Sequence, residues 1–404
     1  MMAINRFKLA AVLLCSFFPV AASAEKWYWE PVFRARTGYD DNIRLEPSDE
    51  ESAFNYHLSG DARFGFRTEV SDVKFQTLLA THQYNGLSDL DYNEALFGVD
   101  ASLRHDLDTF GIDASIHRDS SRTSELSTTG SVDTSIPRIR TYLSPSWSRK
   151  LSETSQLQLH YAYTDVNYIN KSGSATSSGT NLTDYRYQTA DIGLIRKLSE
   201  KTDLQTFLLG SRYKASGVYS KSESIGFQVG LAHRFSETFS ASAALGLNYI
   251  DTLFLNSNRV KDEENDIAPL VSISFDKTWE RMSLNGSLTT SSSPGGEGRM
   301  LSRNSVALDF KRKLSERLNF ALNTSYTRNE TAGGVTVSGD TRTYFAIEPR
   351  LSWKASRWWT ISGSYRYRAQ EYTESDSGVA ESNAVYIGVE YVWPRPSYAR
   401  WMEL

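Results

Sequence analysis

The 404-residue sequence holds one cysteine, Cys15, only ten prolines, and no apolar run long enough for a membrane helix, which needs about 18 residues or more. Each lack closes off a class. Cys15 sits within the leader-like N-terminus, so the rest of the chain has no thiol, disulfide or cysteine metal ligand. Net charge is −4 with 23% charged residues, so no basic field calls for nucleic acid as a partner. The six histidines, at 57, 82, 105, 117, 160 and 233, show no metal-ligand spacing. Nucleophile-elbow, dinucleotide and phosphate-loop motifs are missing too. These absences predict no enzyme, no cofactor and no metal site.

Residues 1–24, "MMAINRFKLAAVLLCSFFPVAASA", carry basic Arg6 and Lys8, a short apolar run and a small-residue exit. That order predicts a Sec-type signal peptide cleaved before Glu25. Leu14 before Cys15 argues against a lipid anchor. The chain is thus expected to consist of a signal peptide (1–24), one domain (25–393) and a short tail (394–404).

What is abundant is alternation. Aromatics make up 12% of the chain, and long segments place apolar residues at every second position. Phe54, Tyr56, Leu58, Phe64 and Phe66 share one face, opposite Asn55, His57, Ser59, Asp61 and Arg63. Eighteen such segments begin near Tyr28, Phe54, Val73, Asn93, Thr109, Pro137, Ser155, Tyr185, Asp203, Ser222, Phe239, Asn265, Arg281, Leu301, Leu318, Thr341, Arg357 and Ser382. The contrast is poorest near Asp203 and Arg281. A tilted strand needs about 9–11 residues to cross a bilayer, and these segments are that long or longer. A mean hydropathy of −0.44 is compatible with this, because such a strand carries its apolar face on alternate residues only.

The connections alternate in length. Short turns are expected at Ser71-Asp72, Leu107-Asp108, Leu151–Thr154, Leu198–Thr202, Ser236–Thr238, Glu280-Arg281, Leu314–Arg317 and Ala355-Ser356. Longer polar segments fall between them, including "GYDDNIRLEPSDEES", "RDSSRTSELSTTGSVDTS", "LNSNRVKDEEND" and "SSSPGGEG". Four turns repeat one another: "RKLSET", "RKLSEK", "HRFSET" and "KRKLSER", about 40 residues apart with one doubled gap. The gap contains "TWERM" at Thr278–Met282, read as the drifted copy. Propeller signatures such as Gly-His…Trp-Asp are absent. The predicted fold is all-β: a transmembrane antiparallel up-and-down β-barrel of about 18 strands with short periplasmic turns and long extracellular loops. Its expected place is the bacterial outer membrane, with lipid and lipopolysaccharide around it.

With apolar residues outward, Arg34, Arg36, Arg350, Arg366 and Arg368 point into the lumen, and closure of the first strand on the last brings them together as a cationic stripe. Such a stripe could favour anionic sugars; the plainer reading is that interspersed charges satisfy one another across a water-filled pore. The acidic clusters Asp40-Asp41, Glu46 with Asp49–Glu51, and Asp262–Glu264 read either as a cation site or, more simply, as solvated loops.

The final strand, Tyr386-x-Gly388-x-x-Tyr391-x-Trp393, resembles the signal by which the barrel-assembly machinery recognises outer-membrane barrels. "GYDDNI" at Gly38, Tyr39, Asp40, Asp41, Asn42 and Ile43 resembles the opening of a family of outer-membrane β-barrel porins associated with exopolysaccharide export systems. That resemblance implies a conduit for export of a polysaccharide, working with periplasmic export components. Two alternatives stand beside it: a general or solute-selective diffusion porin for uptake, and a non-conducting structural or adhesive barrel. A long loop folded into the lumen would favour the porin.

Overall fold

The computed structural model describes residues 26–126, 128–130, 132, 135–169, 182–216, 220–255, 261–332, 341–373 and 378–393. The segment expected to be a signal peptide (1–24) and the expected tail (394–404) lie outside these residues, as do residues 170–181.

Eighteen strands form one antiparallel sheet. They are β1 (Lys26–Asp40), β2 (Ala53–Arg67), β3 (Ser71–Tyr84), β4 (Tyr92–His105), β5 (Asp108–Ser120), β6 (Pro137–Lys150), β7 (Ser155–Tyr168), β8 (Tyr185–Ser199) and β9 (Thr202–Ala215), followed by β10 (Ser220–Ser236), β11 (Phe239–Leu255), β12 (Lys261–Thr278), β13 (Met282–Pro294), β14 (Met300–Lys313), β15 (Leu318–Thr331), β16 (Arg342–Lys354), β17 (Trp359–Tyr372) and β18 (Val379–Val392). Each strand pairs with its sequence neighbours, and β1 closes the barrel on β18 from Val32↔Val392 to Asp40↔Ala384. Closure removes both sheet edges. Every strand starts within four residues of its expected position, the weakly patterned β9 and β13 included.

The period-two pattern becomes an inside and an outside. On β18, Val385 and Ile387 are 57% and 61% exposed, whereas Ala384 and Tyr386, which alternate with them, are 1% and 3% exposed. This is an apolar wall turned outward, as a bilayer requires. Near the short-turn rim the outer wall carries paired aromatics: Trp27 with Phe66 at 5.1 Å, Phe64 stacked on Phe75 at 4.7 Å, Phe235 on Phe239 at 4.9 Å and Trp359 with Tyr391 at 4.7 Å. Such belts sit at the membrane interface, where an aromatic ring meets both lipid and water.

The four repeats occupy short turns on this rim, between β6 and β7, β8 and β9, β10 and β11, and β14 and β15. Their shared serine has one task. Its Oγ accepts the backbone N–H two residues on: Thr154 on Ser152 (3.3 Å), Lys201 on Ser199 (3.2 Å), Thr238 on Ser236 (3.3 Å) and Arg317 on Ser315 (3.3 Å). That is the local bond by which serine stabilises turns. Ser356 serves Trp358 in the same way at 3.1 Å.

Some boundaries differ from expectation. The first short turn is Thr68–Val70, not Ser71-Asp72, because Thr68 Oγ1 accepts the N–H of Ser71 at 2.9 Å and closes the turn early. The second centres on Asp106, at φ 51°, and Leu107. Two expected loops are largely strand. β13 runs through Ser291–Pro294, and the Asp262–Glu264 run lies in β12 paired with β11. Continuing a hairpin satisfies backbone groups that a loop would leave to water.

Candidate functional site: a lumen crossed by an inward loop

Extracellular loops are numbered here in chain order. The first (L1, residues 41–52), third (L3, residues 121–136) and seventh (L7, residues 295–299) turn inward. L3 leaves β5 in a single helical turn, Ser121–Ser124, with Ser120 Oγ accepting the Arg122 N–H at 3.2 Å. It is then fastened to several walls. Arg122 donates to the Ile43 carbonyl of L1 at 2.8 Å and to that of Val132, and its guanidinium lies over the Tyr84 ring of β3. Glu125, 2% exposed, accepts Tyr168 OH of β7 at 2.6 Å and the Thr128 hydroxyl at 2.6 Å. On the far wall Asn329 of β15 donates to the Thr128 carbonyl at 2.6 Å, and Tyr372 of β17 to the Thr129 carbonyl at 2.9 Å. Gly130, at φ +83°, lets L3 pass: a Cβ there would stand 2.2 Å from Arg342 Nε. Beneath these contacts Ile136, Val166, Tyr168, Tyr213, Ile250 and Met300 form an apolar core inside the barrel.

L1 is locked onto the closure seam by the "GYDDNI" residues. Asp40 is fully buried and accepts Ser382 Oγ at 2.7 Å, Arg368 Nη2 at 2.8 Å and Arg366 Nη2 at 3.3 Å. Asp41 accepts the N–H and side-chain amide of Asn383 at 2.6 and 3.0 Å. The Asn42 amide reaches the carbonyls of Glu46 and Glu381 at 2.7 and 2.9 Å. The acidic pair is therefore neither a cation site nor a solvated loop. It is the clasp of the barrel. Gly38 belongs to it as well, since a Cβ there would fall 2.3 Å from the Tyr386 ring.

The five lumen arginines gather on the wall from β16 through β18 to β1, most with counter-charges. Arg34 pairs with Asp61 and, at 2.7 Å, with Glu390; Arg350 pairs with Glu348 at 2.6 Å; Arg366 and Arg368 share Asp40. Tyr386 lies between Arg36 and Arg366, whose guanidinium carbons sit 4.7 and 5.0 Å from its ring centre. Its hydroxyl also accepts from Arg366. Buried polar atoms remain unspent along this wall: Arg36 Nε, Arg366 Nε and both ring nitrogens of the neighbouring His57 have no partner among the described residues. Of the residues that resemble an assembly signal, Tyr386 and Gly388 face the lumen, while Tyr391 and Trp393 join the outer aromatic belt.

The wall from β4 to β8 is different. Asp100 and Asp113 are register partners at the edge of a recess of about 540 Å³ that also contains Ser144, His160 and Asp191. Ser144 Oγ stands 2.7 Å from His160 Nε2, and His160 Nδ1 stands 2.9 Å from Asp191. The order matches a hydrolase triad, but the electrostatics do not. Asp113 is the cross-strand partner of Ser144 and would oppose an oxyanion rather than stabilise it. The three side chains act as a hydrogen-bonded tie across three strands.

Sequence reasoning found the arginines but missed what fastens the lumen. Arg122, Glu125, Asn329 and Arg342 lie in or near polar loops, where alternation carries no information. The one available signal was an Arg and a Glu amid small polar residues in the long L3 segment.

No family model matches the chain, and no curated protein does. Among solved structures, Pseudomonas aeruginosa OccK2 (OpdF) in complex with glucuronate is similar over 91% of this chain and 99% of its own, at 12% identity and a TM-score of 0.46. Acinetobacter baumannii OccAB3 covers 91% and 99% at 10% identity and a TM-score of 0.45, and P. aeruginosa OpdK with vanillate covers 90% and 98% at 11% and 0.46. This chain is a closed antiparallel β-barrel of eighteen strands. The expectation of polysaccharide export is overturned. L3 is tied across the extracellular half of the lumen, where an extended polymer would need an open bore. The exopolysaccharide association falls with it.

Proposed function

We propose that the protein is a passive, solute-selective diffusion porin of the bacterial outer membrane, admitting small hydrophilic molecules. The observation that carries this reading is L3, fastened by Glu125 and Arg122 on one side and by Asn329 and Tyr372 on the other. A loop held in the lumen narrows the passage and makes size and charge matter. The walls supply the charge: arginines with unspent donors on β1 and β17, and carboxylates on β4 and β5. Opposed charges at close quarters orient a dipolar or ionic solute as it passes.

Within the same proposal, residues 1–24 direct export, and Tyr386, Gly388, Tyr391 and Trp393 serve recognition by the barrel-assembly machinery. The outer aromatic belt then seats the barrel among lipid and lipopolysaccharide.

The test is reconstitution of the purified chain in planar bilayers and in liposomes. Discrete conductance steps are expected, together with swelling rates that fall steeply from monosaccharides to oligosaccharides. A barrel without conductance would support the structural alternative, and equal swelling with large and small sugars would contradict a selective lumen.

A further inference from the structure

Beneath the start of L3, three histidines gather around one carboxylate. His57 of β2 and His82 of β3 are register partners whose ring centres stand 4.2 Å apart. His82 Nε2 lies 3.4 Å from one oxygen of Glu94 on β4, and His117 Nε2 of β5 lies 2.8 Å from the other. His117 Nδ1 also faces Asp119 at 3.6 Å, but that carboxylate is held by Nε and Nη2 of Arg138 at 2.8 and 2.7 Å. Arg140 of β6 is the register partner of His117, and Arg36 of β1 that of His57. The charged groups acting on His57 are His82, Arg36, Glu94 and Arg34. Neither of its ring nitrogens has a partner among the described residues, so no carboxylate touches that ring.

This cluster is coupled to L3. His82 stacks on Tyr92 of β4, with ring centres 4.1 Å apart and planes 9° apart. The Tyr92 hydroxyl lies 2.9 Å from Thr123 Oγ1, in the helical turn that opens L3. Two residues beyond His82, the Tyr84 ring carries the guanidinium of Arg122 from the same turn. Imidazole is the side chain whose ordinary change of charge falls between about pH 5 and 8. With both rings neutral, nothing opposes the contact of His57 with His82. With both protonated, like charges stand directly opposite on adjacent strands, which is destabilising. Glu94 then draws His82 in the direction in which His57 repels it, toward β4 and the Tyr92 ring.

We propose that His57, His82 and Glu94 form a proton-operated latch for L3, closed at neutral pH and released in acid. Release parts Tyr92 from Thr123 and frees the start of the loop, while the far-wall bonds of Asn329 and Tyr372 to the Thr128 and Thr129 carbonyls hold. The inference rests on the porin reading and adds a regulation of that passage: in acid the lumen widens and sieves less sharply. His117 is a positioning residue, since its 2.8 Å contact keeps the Glu94 carboxylate turned toward His82. A ligand that prefers one of two states shifts the balance between them, and here that ligand is the proton.

The test follows L3 without relying on conductance. Hydrogen exchange of the purified full chain in detergent, corrected for the intrinsic effect of pH, reads the backbone of residues 121–126. Protection of that segment should fall about tenfold between about pH 7.5 and about pH 5 in the wild type, while the strand cores stay protected. His57→Gln removes one charge of the pair, keeps a neutral polar side chain and should limit the fall to about threefold or less. Glu94→Gln should move the response to lower pH, because His82 then lacks its counter-charge. His105→Gln, at an exposed short turn, should leave the response unchanged. Constant protection in the wild type, or an equal response in the wild type and His57→Gln, overturns the latch. Bilayer conductance at the neutral end reports on the porin reading alone, and an open level no larger in acid than at neutral pH overturns the widening.

Discussion

The two ends of this barrel are built on different principles. At the short-turn end the chain reverses within two to four residues, and each reversal is held by bonds spanning two or three positions, such as those of Ser152, Ser199, Ser236 and Ser315. At the long-loop end the decisive bonds join residues hundreds of positions apart, as between Asp40 and Arg368 or Asn329 and Thr128. The first end closes hairpins one at a time. The second exists only once the whole barrel has closed. The contacts that shape the lumen are the non-local ones.

Substitutions can break this contrast, and the largest effect is expected at the seam. Asp40→Ala leaves Arg366 and Arg368 in a buried site without their shared carboxylate. A loss of about 3–5 kcal/mol is expected, measured as the urea midpoint of the barrel folded in liposomes. Gly130→Ala comes next. Its new methyl meets the Arg342 guanidinium in a left-handed backbone, at a cost of about 1–3 kcal/mol. The loss should fall on L3, so proteolytic nicking of the loop should rise while the barrel's own unfolding midpoint moves little. At the other end Ser152→Ala or Ser315→Ala should cost about 0.5–1 kcal/mol each. Conductance should not change, because those turns lie outside the lumen. An effect on conductance equal to that of Gly130→Ala would erase the distinction between the ends. Arg36→Gln sharpens it within the lumen: stability should hardly change, and the anion-to-cation permeability ratio in asymmetric KCl should fall.

The same contrast explains what could be read from the sequence. A membrane wall must alternate at every position, so all eighteen strands were legible, and the serine turns repeated closely enough to reveal their missing copy. "GYDDNI" stood out as a motif, but its meaning did not. Asp40 and Asp41 look like a solvated acidic pair until β1 meets β17 and β18, and no local pattern signals that meeting. Arg122 and Glu125 were hidden for the same reason, being polar residues in a polar loop whose partners come from L1, β3 and β7. Alternation located Arg366 and Arg368 on the inner face, yet their burial with Asp40 makes them clasp residues first.

The central claim is that L3, pinned across the lumen, sets the width of the passage. Single-channel conductance of Glu125→Ala beside the wild type in the same KCl solution tests it most directly. Removing the acid frees Tyr168 and the Thr128–Thr129 segment from one another. The expected result is a larger and noisier open level with weaker exclusion of oligosaccharides. A conductance and sugar cutoff identical to the wild type, in a barrel of unchanged unfolding midpoint, would contradict it.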